Sequence, residues 1–474
     1  MEDHRKVLAE TFDIIQEYID SLNDPAQKVN EFMLPEALKS RFDFELRAKG
    51  TQYDALLEFI RQYLHLSVKT GSKQYLNQLF GGLNLPALLG EFITSLSNTS
   101  MYTYEVAPVA TLMEMEIVRK MNTFTGFTRG DGTFLTGGSN TNLVAMITAR
   151  NHLFPEGKEK GMAHLPTLTA FVSERSHFSF TKAANAIGLG TENLKKVAVD
   201  HNGKMCPIAL TEAIEESLNR GEVPFFIGAT CGTTEMGAFD NLEELVPVAR
   251  RYNMWLHADG SWGGSAIMSP KWRHLFNGIE ECDSFSWNPH KLMNIPLICS
   301  VLLVKDAAVL REALSSNDTS YIYHDDDSSQ YDLGPKSLQC GKRVDSLKLW
   351  LAWKYYGDEG YVARINHLFE LAQYATSVIE EHPRLELMCP TQTLNVNFRF
   401  APSSGEDADA INHKIRQSLV ESGKSMVNYC HLSNGLSIRL ILLNPDLERS
   451  DIDRFFDNYL TEAVMIEQKL GYKV

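Results

Sequence analysis

The sequence lacks the cysteine pattern of a disulfide-stapled protein or of a zinc site. It has 474 residues and only seven cysteines, and none of these forms a Cys-x-x-Cys pair. Scattered thiols of odd number are typical of a protein in a reducing compartment, so we expect a cytoplasmic location. No His-Glu-x-x-His motif or comparable ligand spacing occurs either, and we therefore expect no bound metal.

Excess positive charge and long apolar runs are also missing. The 60 acidic residues outnumber the 45 lysines and arginines, which gives a formal net charge of −15, whereas a nucleic-acid-binding surface needs a basic face. No run of about 18 apolar residues is present, as a membrane span would require. The opening Met-Glu-Asp-His-Arg-Lys is not followed by an apolar run, so no signal peptide is predicted. We expect neither a nucleic-acid nor a membrane partner.

A chain of this length predicts one large domain with smaller additions. Residues 1–95 are predicted to be helical, and they pack either on their own core or across a dimer. Apolar side chains recur at helical spacing in the first helix, at Leu8, Phe12, Ile15 and Ile19. Residues 345–474 begin with a helix and predict a smaller C-terminal α+β domain, with strands at 394–400 and 436–442.

Residues 96–344 alternate short apolar strands with amphipathic helices such as 242–252, which predicts a mostly parallel sheet buried on both faces. The predicted strands are 168–173, 225–230, 254–258, 283–287 and 297–304. Residues 313–336 form a long polar loop, and loops of this length are uncommon unless they are functional or disordered. We include them in the large domain as a mobile loop.

Two segments carry most of the chemical information. His257-Ala258-Asp259 ends one predicted strand, and Asn288-Pro289-His290-Lys291 follows the next. Groups beyond the carboxyl ends of neighbouring strands share one crevice in an open α/β sheet. A lysine that forms a Schiff base and an aspartate that partners a pyridinium nitrogen together indicate pyridoxal 5'-phosphate (PLP). Alone, each segment fits a turn with a solvated lysine or a helix cap.

Two further segments are compatible with this cofactor. Residues 136–142 lead from two glycines through Ser139, Asn140 and Thr141 into an apolar helix. Backbone N–H groups and hydroxyls at such a helix start can hold a phosphate, and an ordinary N-cap is the alternative. His177 follows the end of another predicted strand, where it either stacks on a flat ring or has a structural role.

From about residue 75 to the C-terminus, a series of segments occurs in a characteristic order. They are Tyr-Leu-Asn-Gln-Leu-Phe at 75–80, Asn-Thr-Ser-Met-Tyr-Thr-Tyr-Glu-Val-Ala-Pro at 98–108, Ser-His-Phe-Ser at 176–179, Gly-Thr-Thr at 232–234, Asn-Pro-His-Lys at 288–291 and Gln-Cys-Gly-Lys-Arg-Val-Asp at 339–345. This series resembles the group II PLP-dependent decarboxylases, in the branch of glutamate, cysteine sulfinate and aspartate decarboxylases. It is most similar to the cysteine sulfinate decarboxylases.

The resemblance implies an α/β fold of PLP-dependent fold type I, similar to aspartate aminotransferase, with a mostly parallel seven-stranded sheet in the large domain. It also implies a homodimer with sites at the interface. The implied catalytic residues are Lys291, which carries the cofactor, Asp259 at the ring nitrogen, His177 stacked on the ring, and the proton donor Tyr321, with Tyr323 as a competitor. The implied cofactor-binding residues are Ser139, Asn140, Thr141, His177, Asp259, Asn288, His290, Lys291, Cys340 and Gly341, the last two approaching from the other subunit.

The same resemblance implies α-decarboxylation of a short acidic L-amino acid: cysteine sulfinate to hypotaurine, aspartate to β-alanine, or both. The implied substrate-binding residues are Gln78, Phe80, Ser100, Tyr102 and Arg439, whose guanidinium suits a carboxylate. Phe80 is bulky where glutamate decarboxylases have a small residue, so we expect its ring to shorten the pocket. One methylene contributes only about 1–3 kcal/mol of discrimination, and mixed activity is expected.

The chain departs from the family pattern in two places. Gly260-Ser261 stands where Ala-Ala is usual, which affects packing against the ring. The acidic run 325–327 either faces solvent or disfavours anionic substrates. The alternatives are a glutamate decarboxylase that makes 4-aminobutyrate and an aromatic amino acid decarboxylase. A PLP-dependent aldehyde synthase would require loss of Tyr321, and an inactive scaffold conflicts with the presence of Lys291 and Asp259.

Overall fold

The computed structural model describes residues 2–317, 319–402 and 407–469. The chain divides into two compact units: unit 1 comprises residues 1–82 and 370–474, and unit 2 comprises residues 83–369. The predicted three-part division of the chain, with its first part packed across a dimer, stays a prediction. Within the described residues, every helix is too short or too polar to cross a bilayer.

The secondary structure alternates between helices and strands through most of the chain. The helices are α1 (Glu2–Leu22), α2 (Pro35–Arg41), α3 (Tyr53–Leu66), α4 (Leu85–Ser97), α5 (Pro108–Thr125), α6 (Gly138–Leu153), α7 (Glu156–Lys160), α8 (Ser179–Ala186), α9 (Pro207–Asn219), α10 (Leu242–Arg251), α11 (Ala308–Leu314), α12 (Asp345–Glu381), α13 (Ala408–Ser422) and α14 (Arg449–Lys469). The strands are β1 (Tyr75–Leu76), β2 (Asp131–Leu135), β3 (Leu168–Ser173), β4 (Leu194–Val197), β5 (Val223–Thr230), β6 (Trp255–Gly260), β7 (Ser284–Trp287), β8 (Ser300–Val304), β9 (Leu385–Leu387), β10 (Asn395–Phe400), β11 (Met426–Leu432) and β12 (Gly435–Ile441).

Unit 2 contains a seven-stranded sheet in the order β2-β8-β7-β6-β5-β3-β4. The pairs from β4 to β7 are parallel, and β8 runs antiparallel to β7 and β2, so the predicted mostly parallel sheet is confirmed. All residues of β3 are buried, as expected for a strand covered on both faces. Strands β2 and β4 were not predicted, and β8 begins at Ser300 rather than 297, with Leu297 and Ile298 exposed before it.

The register of this sheet aligns the carboxyl ends of three strands. Thr230 on β5 pairs with Asp259 on β6, and Asp259 pairs with Ser286 on β7. The chain leaves β7 at Trp287 and turns at once through Asn288. Residues that follow these strands are therefore brought to one edge of the sheet, where sites in α/β proteins lie.

Unit 1 contains a five-stranded sheet in the order β1-β11-β12-β10-β9. Strands β10 and β12 correspond to the two predicted C-terminal strands, and they pair antiparallel. Strand β1 lies inside a segment that was predicted to be helical. It pairs in parallel with β11, about 350 residues later in the chain by their numbering, so a long-range contact decides its conformation.

Residues 313–336, predicted as a mobile loop, begin with the last turn of α11. The described part of this loop contains two short 3-10 turns, at Ser329–Tyr331 and Gly334–Lys336. The acidic side chains at 325–327 are exposed. The mobility of the loop and its function as a lid stay predictions.

A buried ion pair anchors the segment that follows this loop. Lys342 Nζ lies 2.8 Å from Glu114 Oε1, and the two side chains are 5% and 1% exposed. The same Nζ donates to Thr133 Oγ1 at 2.8 Å. The backbone of Lys342 is bonded to residues 100 and 101: its N–H donates to Ser100 Oγ, and its carbonyl accepts from Met101 N, each at 2.9 Å. The backbone bonds therefore hold Lys342 against residues 100 and 101, and the ion pair joins its side chain to α5.

Replacing Lys342 with methionine should lower the free energy of unfolding by about 3–5 kcal/mol, because it leaves the Glu114 carboxylate buried without its cation. The midpoint of denaturant unfolding measures this loss. The double variant Lys342→Met/Glu114→Leu serves as the control and should recover most of the lost stability. A single variant that unfolds at the wild-type midpoint would show that the pair contributes nothing.

Candidate active site

A cavity of about 300 Å³ lies beyond the carboxyl ends of β5 and β6, within unit 2. This volume is at the lower end of the range for small-molecule sites. Six residues that the sequence predicts for the site line it: Ser139, His177, Asp259, Asn288, His290 and Lys291. The structure therefore brings together side chains from four separate parts of the chain.

Lys291 sits in the tight turn after β7, where its backbone N–H donates to Asn288 O at 3.0 Å. Burial lowers the pKa of Lys291 to about 8, and the charge of Asp259 opposes this only in part. A lysine with this pKa has a far larger neutral fraction near physiological pH than an ordinary lysine, and only the neutral amine attacks an aldehyde. The surroundings of Lys291 thus prepare it for Schiff-base formation.

Asp259 is oriented by hydrogen bonds to both of its oxygens. Ser261 N–H donates to Oδ1 at 3.0 Å, and Asn142 Nδ2 donates to Oδ2 at 2.8 Å. Burial by itself raises the pKa of Asp259, but the adjacent His257 and the hydrogen bonds from Ser261 and Asn142 hold it below its ordinary value. Asp259 is therefore a carboxylate at neutral pH, as the partner of a pyridinium N–H must be.

His177 lies at the start of α8, with its ring centroid 4.2 Å from that of Phe178. Its Nδ1 accepts the Ser179 backbone N–H at 3.2 Å. Burial lowers the pKa of His177, and Asp259 only partly offsets this. A neutral imidazole held in this way is suited to stack on a flat ring.

His290 is buried beside the same cavity, and its Nδ1 lies 2.6 Å from Cys299 O. A carbonyl oxygen only accepts, so Nδ1 carries the proton in this contact, which is shorter than the 3.2 Å from Cys299 N to the same atom. Burial and the neighbouring Lys291 lower the pKa of His290 to about 3. The His290 ring is therefore neutral, and its Nε2 is an acceptor. To donate to a phosphate, Nε2 would need a second proton on the ring, and the negative charge of the phosphate would stabilise that protonated form.

The cavity fits PLP by its size and by the polar groups it offers. Asn288 Oδ1 and Nδ2 are buried without a hydrogen-bond partner among the described residues, and they line the cavity. A Cβ at Gly138 would lie 2.7 Å from Asn288 Nδ2, so only glycine allows the start of α6 to come this close. The first turn of α6 offers free backbone N–H groups to a phosphate there.

Other predicted cofactor residues lie near this cavity or along a second one. Asn140 Oδ1 accepts from Gln339 Nε2 at 3.2 Å, and Thr141 Oγ1 donates to Gly137 O at 3.1 Å. Cys340 and Tyr321 line a separate cavity of about 480 Å³ together with Tyr323. Tyr321 is 77% exposed. Gly341 is exposed as well.

The predicted substrate-binding residues are distributed over the two units. Ser100 and Tyr102 belong to unit 2, where Ser100 Oγ accepts the Lys342 N–H and Tyr102 O accepts the Gly334 N–H at 2.9 Å. In unit 1, Gln78 is exposed, and the half-buried Phe80 ring lies 6.0 Å from that of Tyr75. Arg439 is buried on β12, and its Nη2 donates to Asn77 O at 3.4 Å. The roles of these residues stay predictions.

Sequence reasoning missed the buried residues that are hydrogen-bonded to Asp259 directly or through Asn142. Asn142, His257 and Ser286 form buried hydrogen bonds with one another. Two signals could have found them: His257 is two residues before Asp259 on a strand and so faces the same side, and Asn142 lies one helical turn after Gly138. No group of three or more His, Cys, Asp or Glu residues is arranged to hold a metal in the part of the chain that the structure describes.

The Pyridoxal-dependent decarboxylase conserved domain matches residues 35–401. The chain belongs to this family. It is therefore a PLP-dependent amino acid decarboxylase, and the predicted family, enzyme class and cofactor are confirmed.

Curated relatives and solved structures agree with this assignment. Human cysteine sulfinic acid decarboxylase is 40% identical over 453 residues, which cover 93% of this chain and 92% of that protein. Mouse acidic amino acid decarboxylase GADL1 is 37% identical over 457 residues, covering 94% and 83%. The crystal structure of mouse CSAD in apo form has a TM-score of 0.94 and 38% identity, covering 97% of this chain and 99% of that one. The predicted fold class is thereby confirmed.

Proposed function

We propose that this decarboxylase removes the α-carboxylate of a short acidic L-amino acid, converting cysteine sulfinate to hypotaurine, aspartate to β-alanine, or both. The observation that carries the proposal is the 40% identity, over 93% of the chain, to human cysteine sulfinic acid decarboxylase. The similarity to acidic amino acid decarboxylase GADL1 supports the same substrate class. Glutamate decarboxylation to 4-aminobutyrate is the second candidate, since it needs only a longer pocket.

PLP, when bound, supplies an electron sink that stabilises the charge left on the α-carbon as carbon dioxide departs. Lys291 offers its neutral amine to the cofactor aldehyde. Asp259 holds a proton at the ring nitrogen, and His177 covers one face of the ring. Ser139 and the first N–H groups of α6 bind the phosphate.

Tyr321 is proposed to donate the proton to the α-carbon after carbon dioxide has left. Its exposed position in loop 313–336 fits a residue that moves to the substrate when the loop closes. Tyr323 is the competitor, because it lines the same cavity of about 480 Å³. Tyr321→Phe should lower the yield of amine, while Tyr323→Phe should not; the reverse result would exchange their roles.

Substrate recognition is proposed to involve Arg439 and the segment after β1. Arg439 donates to Asn77 O, so the guanidinium lies beside the residues that lead to Gln78 and Phe80. A planar guanidinium can bind a carboxylate through two parallel hydrogen bonds. A phenylalanine ring at position 80 occupies volume that a longer side chain would need, which favours substrates one methylene shorter than glutamate.

Replacing Phe80 with serine should raise kcat/KM for glutamate relative to cysteine sulfinate by about 10- to 100-fold, because the smaller side chain lengthens the pocket by roughly one methylene. Steady-state kinetics on the two substrates measure the ratio. Tyr75→Phe, which alters the ring next to Phe80 without changing its volume much, serves as the control and should leave the ratio unchanged. An unchanged ratio in Phe80→Ser would show that the Phe80 ring does not limit the length of the substrate pocket.

The substrate proposal is tested by incubating the holoenzyme separately with aspartate, cysteine sulfinate, glutamate and an aromatic amino acid, and by identifying the amines. We expect hypotaurine or β-alanine to form fastest. Dominant 4-aminobutyrate would show that the pocket is longer than Phe80 suggests. An aromatic amine as the main product would overturn the acidic substrate class.

We also propose a homodimer with active sites at its interface. One face of α4 exposes an apolar stripe at helical spacing, namely Leu85, Leu89, Ile93 and Leu96, each at least 49% exposed. Contiguous apolar surface of this kind is typical of an interface. Sedimentation should therefore give the mass of two chains, and a single-chain mass would contradict the proposal.

A cytoplasmic location is proposed from the cysteines. All seven are free thiols in the structure, as expected in a reducing compartment. Cell fractionation would test this, and recovery of the protein in an oxidising compartment would contradict it.

A further inference from the structure

A continuous chain of hydrogen bonds lies behind Asp259. Asn142 Nδ2 is 2.8 Å from Asp259 Oδ2, and Asn142 Oδ1 is 3.1 Å from His257 Nε2. His257 Nδ1 is 2.8 Å from Ser284 Oγ, which accepts from Trp255 Nε1 at 2.8 Å. All five side chains are buried. The chain thus runs from one end of β6 to the other.

With a neutral His257, the carboxylate end of this chain sets the direction of its bonds. An indole N–H only donates and a carboxylate only accepts. Because Ser284 Oγ accepts from Trp255, its own proton can go to His257 Nδ1. The His257 proton is then on Nε2 and points to Asn142 Oδ1, which also accepts from Ser286 Oγ at 3.2 Å. The amide nitrogen of Asn142 faces Asp259. All donors are therefore directed toward the carboxylate.

This arrangement requires a neutral His257. Burial lowers the pKa of His257 to about 4, although Asp259 opposes the shift. The Phe226 ring stacks on His257 with centroids 5.9 Å apart, and the Phe180 ring lies 6.2 Å away. An apolar enclosure of this kind disfavours the imidazolium, so His257 acts as a fixed donor to Asn142.

Asn142 is also linked by hydrogen bonds to His177, the residue that is predicted to stack on the cofactor ring. Its Nδ2 donates to Ser179 Oγ at 2.9 Å, and Ser179 Oγ lies 2.8 Å from His177 Nδ1. Since Nδ1 already accepts the Ser179 backbone N–H, it is an acceptor, and the hydroxyl donates to it. The His177 proton is therefore on Nε2. One amide group holds Asp259 directly and His177 through Ser179.

We propose that Asn142 is a positioning residue of this decarboxylase, which holds Asp259 as an oriented carboxylate at the ring nitrogen of PLP. His257 is a second positioning residue, which together with Ser286 keeps the Asn142 amide in the required orientation. This inference rests on the role that the proposed function gives to Asp259. It does not depend on which amino acid is the substrate.

The test compares two asparagines of the same helix. Asn142→Leu removes the donor to Asp259, whereas Asn151→Leu is the matched control, because buried Asn151 donates to Ala313 O at 2.9 Å at the far end of α6. The affinity for PLP is measured by titrating the full-length apoenzyme without substrate. We expect Asn142→Leu to bind PLP about 10- to 100-fold more weakly, as is typical when a hydrogen bond to a charged group is lost. Asn151→Leu should bind PLP like the wild type.

A cofactor analogue with carbon in place of the ring nitrogen separates positioning from folding. The analogue has no ring N–H for Asp259 to accept, so most of the affinity difference between wild type and Asn142→Leu should disappear. An equal loss for PLP and the analogue would show that Asn142 only stabilises the fold, and it would overturn the proposal. A wrong substrate assignment would leave this result unchanged, because no amino acid is present.

Two variants of His257 complete the test. Glutamine can still present an N–H to Asn142 Oδ1, so His257→Gln should retain most of the PLP affinity. His257→Leu cannot donate and leaves Asn142 Oδ1 only the Ser286 hydroxyl, so it should lose part of the PLP affinity that Asn142→Leu loses. If His257→Gln loses as much affinity as His257→Leu, the donor function of His257 is rejected.

Discussion

Replacing Lys291 with alanine should lower kcat by at least about 10³-fold and abolish the visible absorbance of lysine-bound PLP, because no other lysine lines the cavity among the residues that the structure describes. Lys291 is the lysine that lines the cavity beside Asp259. Absorbance spectra and single-turnover assays measure the two losses.

Lys291→Arg is the charge-matched variant and should fail equally, since a guanidinium does not form the Schiff base. Lys305→Ala, in which only an exposed pair with Glu281 is lost, should keep full activity and absorbance. Retention of the visible absorbance in Lys291→Ala would reject the assignment of this lysine.

The depressed pKa of Lys291 adds a pH dependence to this result. Because only the neutral amine attacks, the rate of PLP uptake by the apoenzyme should rise about tenfold per pH unit at low pH. It should level off above pH about 8, the pKa that burial imposes on this lysine. A rate that continues to rise toward pH 10 would indicate a lysine with an ordinary pKa.

Replacing Asp259 with asparagine should lower kcat by about 10²- to 10⁴-fold, because an amide cannot hold the proton of the ring nitrogen as a carboxylate does. In the wild type both Asp259 oxygens accept from an N–H, of Asn142 and of Ser261, so the N–H₂ group of an asparagine would face a donor in either orientation. Affinity for PLP should fall together with kcat, and stopped-flow measurement of the chemical step separates the two effects.

Asp240→Asn is the matched control for this experiment. Asp240 is another buried aspartate of unit 2, and it accepts from Met205 N and Thr230 N at 2.6 and 2.7 Å. Its replacement should lower thermal stability but leave kcat within about threefold of wild type. An Asp259→Asn enzyme with wild-type kcat would show that the ring nitrogen needs no carboxylate here.

The turn at Asn288–Lys291, the acid at the end of the preceding strand and the alternation of strands with helices could all be read from the sequence. Local signals sufficed because strand periodicity and the parallel βα arrangement put the ends of neighbouring strands at one edge of the sheet. The predicted strand 168–173 matches β3 residue for residue. The resemblance carried by segments such as 176–179 and 339–345 then indicated the family, which the match over residues 35–401 confirmed.

Contacts between distant parts of the chain were decided only by the tertiary structure. Pairing of Tyr75 with Met426 makes β1 a strand, and the Lys342–Glu114 pair joins residues that are separated in the sequence by the seven strands β2 to β8. The hydrogen bonds that direct Asn142 toward Asp259 depend on the burial and relative position of side chains from α6 and β6. The sequence determined which side chains can form a Schiff base, bind a phosphate or pair with a ring nitrogen, because it specifies the residue types and their local spacing. Which of them are neutral, buried and hydrogen-bonded follows from packing, which brings together residues more than 100 positions apart.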